Sequence, residues 1–159
     1  MNWREFEAAA PDLAEQGRQR LQRTNVALLA TLRADGSPRI SPIGPSLAGG
    51  QLLFGAMHSS KVADLRRDAR CAVHTSVSDI NGTEGEFQLL GRAVEVTDAG
   101  LRAADPEAWW LAHPSDASFV YSLDIESASL VTWNLESSEL EITRWSVRHG
   151  VSVSRRTYP

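Results

Sequence analysis

The sequence of 159 residues has one cysteine, one lysine and no long apolar run. Cys71 cannot form an internal disulfide, so the chain is expected to fold in a reducing compartment without covalent cross-links. The longest apolar segment, residues 26–32, is far shorter than the roughly 20 residues of a membrane-spanning helix. The first residues, Met1 to Glu5, lack an apolar signal core. These absences predict a cytoplasmic protein.

Neither sign of charge dominates the chain. Sixteen basic and twenty acidic residues give a formal net charge of −4, which argues against general binding to nucleic acid or to anionic membranes. The length and the 42% hydrophobic content suit one domain with one core. We therefore expect a single domain over 1–147 and a loosely held C-terminal tail over 148–159.

The apolar spacing changes from a helical to a strand pattern along the chain. Residues 3–23 have apolar side chains every three to four positions and predict two amphipathic helices divided at Pro11. Beyond Asn25, short apolar runs alternate with turn sequences. The predicted strands are 26–32, 38–43, 51–56, 70–76, 86–97, 119–124, 129–134 and 139–147. A short helix is expected over 61–68, and 98–113 is expected to be partly helical, with a start at Pro106 and Trp109–Trp110 as its anchor.

Several features favour a barrel. The first three predicted strands are expected to form a meander. Apolar parity switches within the strand 86–97, and Gly91 at the switch predicts a β-bulge. A second switch falls between Ile142 and Trp145. Short strands, tight turns and bends in the two longest strands predict a mostly β fold, a small closed or partly closed barrel with peripheral helices.

Familiar catalytic arrangements are missing. Cys71 and His74 are three positions apart on a predicted strand, so they point to opposite faces and do not form a thiol–imidazole dyad. The other histidines, His58, His113 and His149, have no partner at a zinc-binding spacing, and no metal is expected. No nucleophile elbow, dinucleotide-binding glycine motif or phosphate loop occurs. If the protein is an enzyme, a cofactor is expected to supply the reactivity.

The single lysine, Lys61, lies at the predicted start of the short helix, directly after Ser59 and Ser60. The positive end of the helix dipole disfavours a cation there by roughly 0.3–1 kcal/mol. A bound anion would remove this penalty, because hydroxyls, free amides and an ammonium group form a phosphate cradle. A solvated lysine beside a serine cap is an equally weighted alternative. Arg39 is a second candidate phosphate ligand, although an arginine on the outside of a barrel is the ordinary alternative.

Six segments of the sequence follow one another in a recognisable order: Gly36 to Ile43, Leu52 to Ala56, Ser59 to Arg70, Cys71 to Val73, Leu130 to Trp133 and Leu140 to Trp145. Together these segments resemble the pyridoxamine 5'-phosphate oxidase-like, FMN-binding split-barrel family. The resemblance covers most of 25–145 and rests on the order and spacing of these segments. It implies a homodimer of split barrels with a flavin in each of two clefts at the subunit interface.

The resemblance also implies a set of cofactor-binding residues. They are Arg39, Ile40, Ser41 and Pro42 on one strand, Met57, Ser59, Ser60 and Lys61 before and at the helix start, and Gln88 and Trp133, which would close the cleft. In the pyridoxamine-phosphate oxidases themselves an arginine precedes the lysine, where this chain has Ser60. Oxidation of vitamin B6 is therefore not expected.

The leading interpretation from the resemblance is an FMN-dependent oxidoreductase that transfers hydride through flavin N5 to or from a small substrate. Two alternatives stay open. One is a reductase that uses the deazaflavin coenzyme F-420, whose anionic tail would contact arginines such as Arg66 and Arg67. The other is a non-catalytic flavin- or haem-binding protein, with His58 or His74 as the haem ligand.

Overall fold

The computed structural model describes residues 1–113 and 118–157, which form a mostly β fold with peripheral helices, as the sequence predicts. The strands are β1 Ala27–Leu32, β2 Pro38–Ile43, β3 Pro45–Ala48, β4 Gln51–Met57, β5 Arg70–Thr75, β6 Glu86–Glu95, β7 Ser118–Asn134, β8 Glu139–Ser146 and β9 Gly150–Thr157. The helices are α1 Trp3–Ala9, α2 Pro11–Thr24, α3 Ser60–Arg67, α4 Ala99–Arg102 and a 3₁₀ helix, Trp109–Ala112.

The nine strands of the described residues pair antiparallel, in the order β2-β1-β5-β6-β7-β4-β3, with β8 beside β7 and β9 beside β8. The chain bends at Gly44, so β2 pairs with β1 while the directly following β3 pairs with β4. This stretch connects the two ends of the strand order. The predicted meander is wrong, because β4 has β7 and β3 as neighbours and does not pair with β2.

The strand β7 spans 17 residues where the sequence predicted two separate strands. Its register with β6 shifts between Leu90 and Gly91, which lie opposite Ser127 and Ile125. The bulge near Gly91 is confirmed, but the extra residue, Glu126, lies on β7. A Cβ at Gly91 would come within 2.1 Å of a backbone oxygen of β7, so a glycine is required at this close approach.

The N-terminal helices share one hydrophobic core with the barrel. Phe6 of α1 and Leu13 of α2 are buried in the same cluster as Phe87 of β6. The Phe87 ring occupies the space next to Gly17, where a Cβ would lie 2.3 Å from it. Phe6 also packs on Trp145, with ring centroids 4.9 Å apart. The two helices expected over 3–23 are confirmed, and the chain divides them at Pro11.

The second parity switch has a different cause from the first. β8 buries Ile142 on one face and Trp145 on the other, and its register with β7 is regular. In the segment 98–113, the 3₁₀ helix begins at Trp109 instead of Pro106. No helix in the described part of the chain is both long and apolar enough to cross a membrane.

The C-terminal residues differ from the expected loose tail. Residues 150–157 form β9, which pairs with β8 from Gly150 opposite Ser146 to Thr157 opposite Glu139. Residues 158 and 159 of the predicted tail lie outside the described residues. Nearly all side chains of β9 are exposed, so this strand has no buried apolar face for a sequence pattern to reveal.

Candidate functional site

A pocket of about 310 Å³ lies between the start of α3, the end of β2 and the end of β4. Ser59 precedes α3 at the N-cap position with extended backbone, and Ser60 is the first helical residue. Val62 and Leu65 are buried and fix the helix against the core. The residues that line the pocket are Pro42, Ile43, Gly44, Gly55, Ala56, Met57, Ser59, Lys61 and Trp109.

Lys61 is the charged residue of this pocket. Its Nζ donates to the carbonyl oxygen of Pro42 at 3.3 Å. Within residues 1–113 and 118–157, no carboxylate forms an ion pair with Lys61. Partial burial removes water from the ammonium group and lowers the pKa of Lys61. A half-buried cation that faces a cavity without a carboxylate partner favours an anionic ligand.

The serine cap considered as an alternative is not formed. The backbone of Ser59 has N-cap geometry, but its side chain makes no capping hydrogen bond. Ser59 therefore lines the pocket together with Lys61, and its hydroxyl is not used to cap the helix.

Arg39 is bound to an acidic side chain outside the pocket lining. Its Nε donates to Oδ2 of Asp64 at 2.6 Å, and Asp64 also accepts hydrogen bonds from Thr31 and Arg67. Burial of Asp64, which is 3% exposed, opposes ionisation, but the three hydrogen bonds outweigh it and lower the pKa of this carboxyl group. In this chain the Arg39 guanidinium holds β2 against α3, and its contact with a phosphate stays a prediction.

Of the predicted site residues, the pocket brings together Pro42, Met57, Ser59 and Lys61. Their neighbours Ile40, Ser41 and Ser60 do not line it. Ile40 is 68% exposed on the outer face of β2, and Ser60 is exposed at the start of α3.

Gln88 lies on the outer face of the sheet, away from the Lys61 pocket. Cross-strand pairing places it in one row with His74, Leu28 and Pro42. Three strand spacings separate Gln88 from Pro42, a distance of roughly 14 Å. Gln88 lines a second groove, of about 560 Å³, together with polar side chains of β7 to β9 and the adjoining turn: Ser127, Ser129, Arg144, Ser146, His149 and Ser152.

Two tryptophans differ from their predicted places. Trp133 lies beside Gly82 and lines neither the Lys61 pocket nor the Gln88 groove. Trp109, predicted only as an anchor together with Trp110, lines the Lys61 pocket. Trp110 is the buried member of the pair and donates its indole N–H to the carbonyl oxygen of Arg102 at 2.9 Å. Two adjacent tryptophans in one short helix cannot both face the core. The pair Trp109–Trp110 therefore indicated from the sequence that one of the two rings lies outside the core.

Cys71 and His74 do not combine into a reactive pair. Burial raises the pKa of the Cys71 thiol to about 12, which leaves it unreactive. His74 lies on the opposite face of β5, as predicted, and its Nδ1 is 2.7 Å from the carbonyl oxygen of Thr75. Among the residues that the structure describes, no three His, Cys, Asp or Glu side chains gather at a potential metal site.

Solved structures share this fold. A pyridoxamine 5'-phosphate oxidase-related, FMN-binding protein from Nostoc punctiforme is 14% identical, with 97% of each chain covered and a TM-score of 0.64. PhzG from Burkholderia lata, in complex with tetrahydrophenazine-1-carboxylic acid, is 14% identical, with 98% of this chain and 93% of that chain covered and a TM-score of 0.64. A heme binding protein from Mycobacterium smegmatis is 18% identical, with 92% and 88% covered and a TM-score of 0.62.

At these identities the structural likeness shows the fold alone. No curated protein sequence matches the chain significantly. A family model described as pyridoxamine 5'-phosphate oxidase matches residues 13–119, more than half of the chain. The chain therefore belongs to the pyridoxamine 5'-phosphate oxidase family.

Proposed function

We propose that this protein binds FMN at the Lys61 pocket and acts as a flavin-dependent oxidoreductase. The observation that carries the proposal is the half-buried ammonium group of Lys61, which faces a cavity and has no carboxylate partner among the described residues. Family membership and the FMN-binding protein of Nostoc punctiforme support a flavin as the ligand.

The residues of the pocket fit a phosphorylated ring compound. Lys61 and Ser59 would hold the phosphate through a charge-assisted contact and a hydroxyl donor. At Gly55 the pocket is lined by backbone alone. A side chain would not fit there, because a Cβ would lie 2.7 Å from the Trp109 ring. The exposed side chains of Pro42 and Met57 add apolar surface beside it. When bound, the flavin would supply the redox chemistry, as a hydride acceptor or donor at N5.

A homodimer would complete this site. The outer face of the sheet has a row of cross-strand neighbours, Ile40, Ala30, Ala72 and Leu90, which is mostly apolar. Ile40 and Leu90 are exposed in the single chain, and an exposed contiguous apolar row is typical of an interaction surface. The Gln88 groove lies on the same face. A second copy seated there would bring its own groove toward the Lys61 pocket, and Gln88 would then act across the interface.

A haem-binding protein is the second candidate, and one contact favours it. Nδ1 of His74 lies 2.7 Å from the carbonyl oxygen of Thr75. A carbonyl can only accept, so Nδ1 carries the proton and Nε2 is left as an acceptor or metal ligand. The fold is shared with a heme binding protein from Mycobacterium smegmatis. Under this alternative His74 is the haem ligand on the outer face of the sheet.

The purified protein distinguishes these functions by its absorption spectrum and by titration. We expect flavin bands in the protein as isolated or after addition of FMN, saturation at one FMN per chain, and bleaching by a reduced nicotinamide nucleotide. A Soret band that disappears in His74→Ala would support haem instead. Binding of coenzyme F-420 with no binding of FMN would favour the deazaflavin alternative. A protein that binds none of the three would contradict the proposal.

A further inference from the structure

Trp109 forms an uncharged, aromatic wall of the Lys61 pocket. It lies on the short 3₁₀ helix, and the residue is 38% exposed. Its neighbour Trp110 is 2% exposed and already fills the core beneath this helix. The fold therefore does not need the Trp109 ring as a core residue, and it leaves a large aromatic surface open at the pocket.

The orientation of the Trp109 ring is fixed by edge-to-face contacts. Trp110 lies 6.1 Å away at an interplanar angle of 77°, and His113 lies 5.6 Å away at 70°. The indole also rests against the backbone of Gly55, where a Cβ would come within 2.7 Å of Cζ2. A ring held from several sides binds a flat ligand with little loss of conformational entropy.

The two walls of the pocket differ in chemistry. Lys61 and Ser59 offer a cation and a hydroxyl, whereas Trp109 and Met57 offer an aromatic ring and a thioether. A planar ring is stabilised by contact with the indole of Trp109 and the thioether of Met57. An anion is stabilised only by Lys61 and Ser59. The pocket therefore suits a ligand with a flat aromatic ring at one end and an anionic group at the other.

We propose that Trp109 is a binding residue that packs against the ring of the cofactor, while Lys61 binds its phosphate. This inference rests on the proposed function, because it assigns the two ends of FMN to the two walls. It implies that Trp109 recognises the ring whether or not a phosphate is attached.

Riboflavin, which has the same ring as FMN but no phosphate, separates the two contributions. Affinities for FMN and riboflavin are measured by calorimetry in the full chain, in Trp109→Ala and in Lys61→Ala. Trp109→Ala is expected to weaken both ligands by a similar factor, about tenfold. Lys61→Ala is expected to weaken FMN alone, so the ratio of the two affinities changes only in that variant.

Matched variants exclude a merely structural effect. Leu111→Ala removes another exposed apolar side chain of the same 3₁₀ helix, outside the pocket, and is expected to leave both affinities unchanged. Trp109→Phe keeps a flat ring and is expected to retain most of the affinity. It also serves as the test if Trp109→Ala does not fold. Because an indole in contact with a flavin quenches its emission, the flavin bound to Trp109→Phe should be brighter than the flavin bound to the natural protein.

The outcomes separate this inference from the proposed function. If the natural protein binds FMN and Lys61→Ala weakens it, while Trp109→Ala and Trp109→Phe match the natural protein for both ligands and in emission, only the role of Trp109 is overturned. If the natural protein binds neither FMN nor riboflavin, both proposals fail. Equal loss of affinity in Leu111→Ala and Trp109→Ala would also overturn the role of Trp109, because the effect would then belong to the helix.

Discussion

Nε of Arg39 lies 2.6 Å from Oδ2 of Asp64, and this ion pair ties the edge strand β2 to helix α3. β2 pairs on one side only, with β1. Lys61 and Asp64 are three residues apart on α3 and therefore lie on one face of the helix. Both reach β2, because Lys61 donates to the carbonyl oxygen of Pro42. These two contacts thus join β2 to α3, in addition to the ladder that pairs β2 with β1.

Loss of the Asp64 carboxylate should destabilise the fold strongly. Asp64→Asn leaves the Arg39 charge without its partner at a site where Asp64 is almost fully buried. Removal of one member of a buried pair costs about 3–5 kcal/mol, and we expect a value near the lower end because Arg39 is partly exposed. Urea denaturation followed by circular dichroism measures the change in the free energy of unfolding.

Asp68→Asn is the matched control for this prediction. Asp68 pairs with Arg70, whose side chain is 65% exposed, and a pair so open to solvent contributes little to stability. If the two variants lose the same stability, the Arg39–Asp64 pair does not hold β2 in the way inferred here.

The lowered pKa of Asp64 makes stability depend on acid pH. A carboxyl group whose pKa is lower in the folded than in the unfolded chain stabilises the fold at any pH above its ordinary pKa of 3.8. This contribution is lost as the pH falls through the pKa of the folded chain. The pKa of Asp68, lowered to about 2 by hydrogen bonds from Arg70, acts in the same direction. We expect Tm to fall between about pH 4 and pH 2.

The contribution of Asp64 to this acid transition is measured by comparing the natural protein with Asp64→Asn. The variant has no carboxyl group to titrate at this position, so its Tm should change less over the same pH interval. Parallel curves for the two proteins in scanning calorimetry would show that Asp64 has the same pKa in the folded and unfolded chain.

Lys61→Ala should weaken FMN binding by about 1.5–3 kcal/mol, the cost of a lost charge-assisted contact. The fold should survive, because the Lys61 side chain is partly buried without an ion-pair partner among the described residues. Only the protonated amine attracts the phosphate. Since burial lowers the pKa of Lys61 below its ordinary value of 10.5, FMN affinity should also decrease at alkaline pH.

Calorimetric titration between pH 7 and pH 10 checks both parts of the Lys61 prediction. Arg70→Ala removes a positive charge from an exposed site outside the pocket and serves as the control. An unchanged affinity in Lys61→Ala, or the same alkaline loss in Lys61→Ala and in the natural protein, would remove Lys61 from the binding site.

Local periodicity was sufficient to predict much of the fold. The helices over 3–23, the bulge near Gly91 and the opposite faces of Cys71 and His74 follow from the spacing of neighbouring side chains, which the sequence contains directly. The sequence also singled out Lys61 and Ser59, which line the candidate pocket, because a lone lysine at a helix start conflicts with the local electrostatics. Their role in binding stays a prediction.

Contacts between distant residues account for what the sequence did not predict. The alternation of apolar and polar side chains does not predict that the chain bends at Gly44, where β2, paired with β1, gives way to β3, paired with β4. A strand with either partner would show the same alternation. Arg39 has the chemistry of a phosphate ligand, and only the folded chain places Asp64 beside it. Trp109 and Trp110 are equally apolar, and the orientation of their short helix decides which of them faces the pocket.

Ile40→Glu should prevent formation of the proposed dimer. Ile40 is 68% exposed in the single chain, so a charge there would alter the stability of an isolated subunit by only about 0.5 kcal/mol. In a dimer formed through the outer face of the sheet, the same carboxylate would be buried without a partner, which is costly. Light scattering after size-exclusion chromatography measures the mass, and we expect FMN affinity to fall together with it.

Ile80→Glu controls for the introduced charge. Ile80 is 98% exposed in the loop before β6 and is not part of the row formed by Ile40, Ala30, Ala72 and Leu90. This variant should therefore keep the mass and the FMN affinity of the natural protein. A natural protein that is monomeric at micromolar concentration, or an Ile40→Glu variant with an unchanged dimer mass, would contradict the outer face as the subunit interface. The Lys61 pocket would then have to bind its ligand within a single chain.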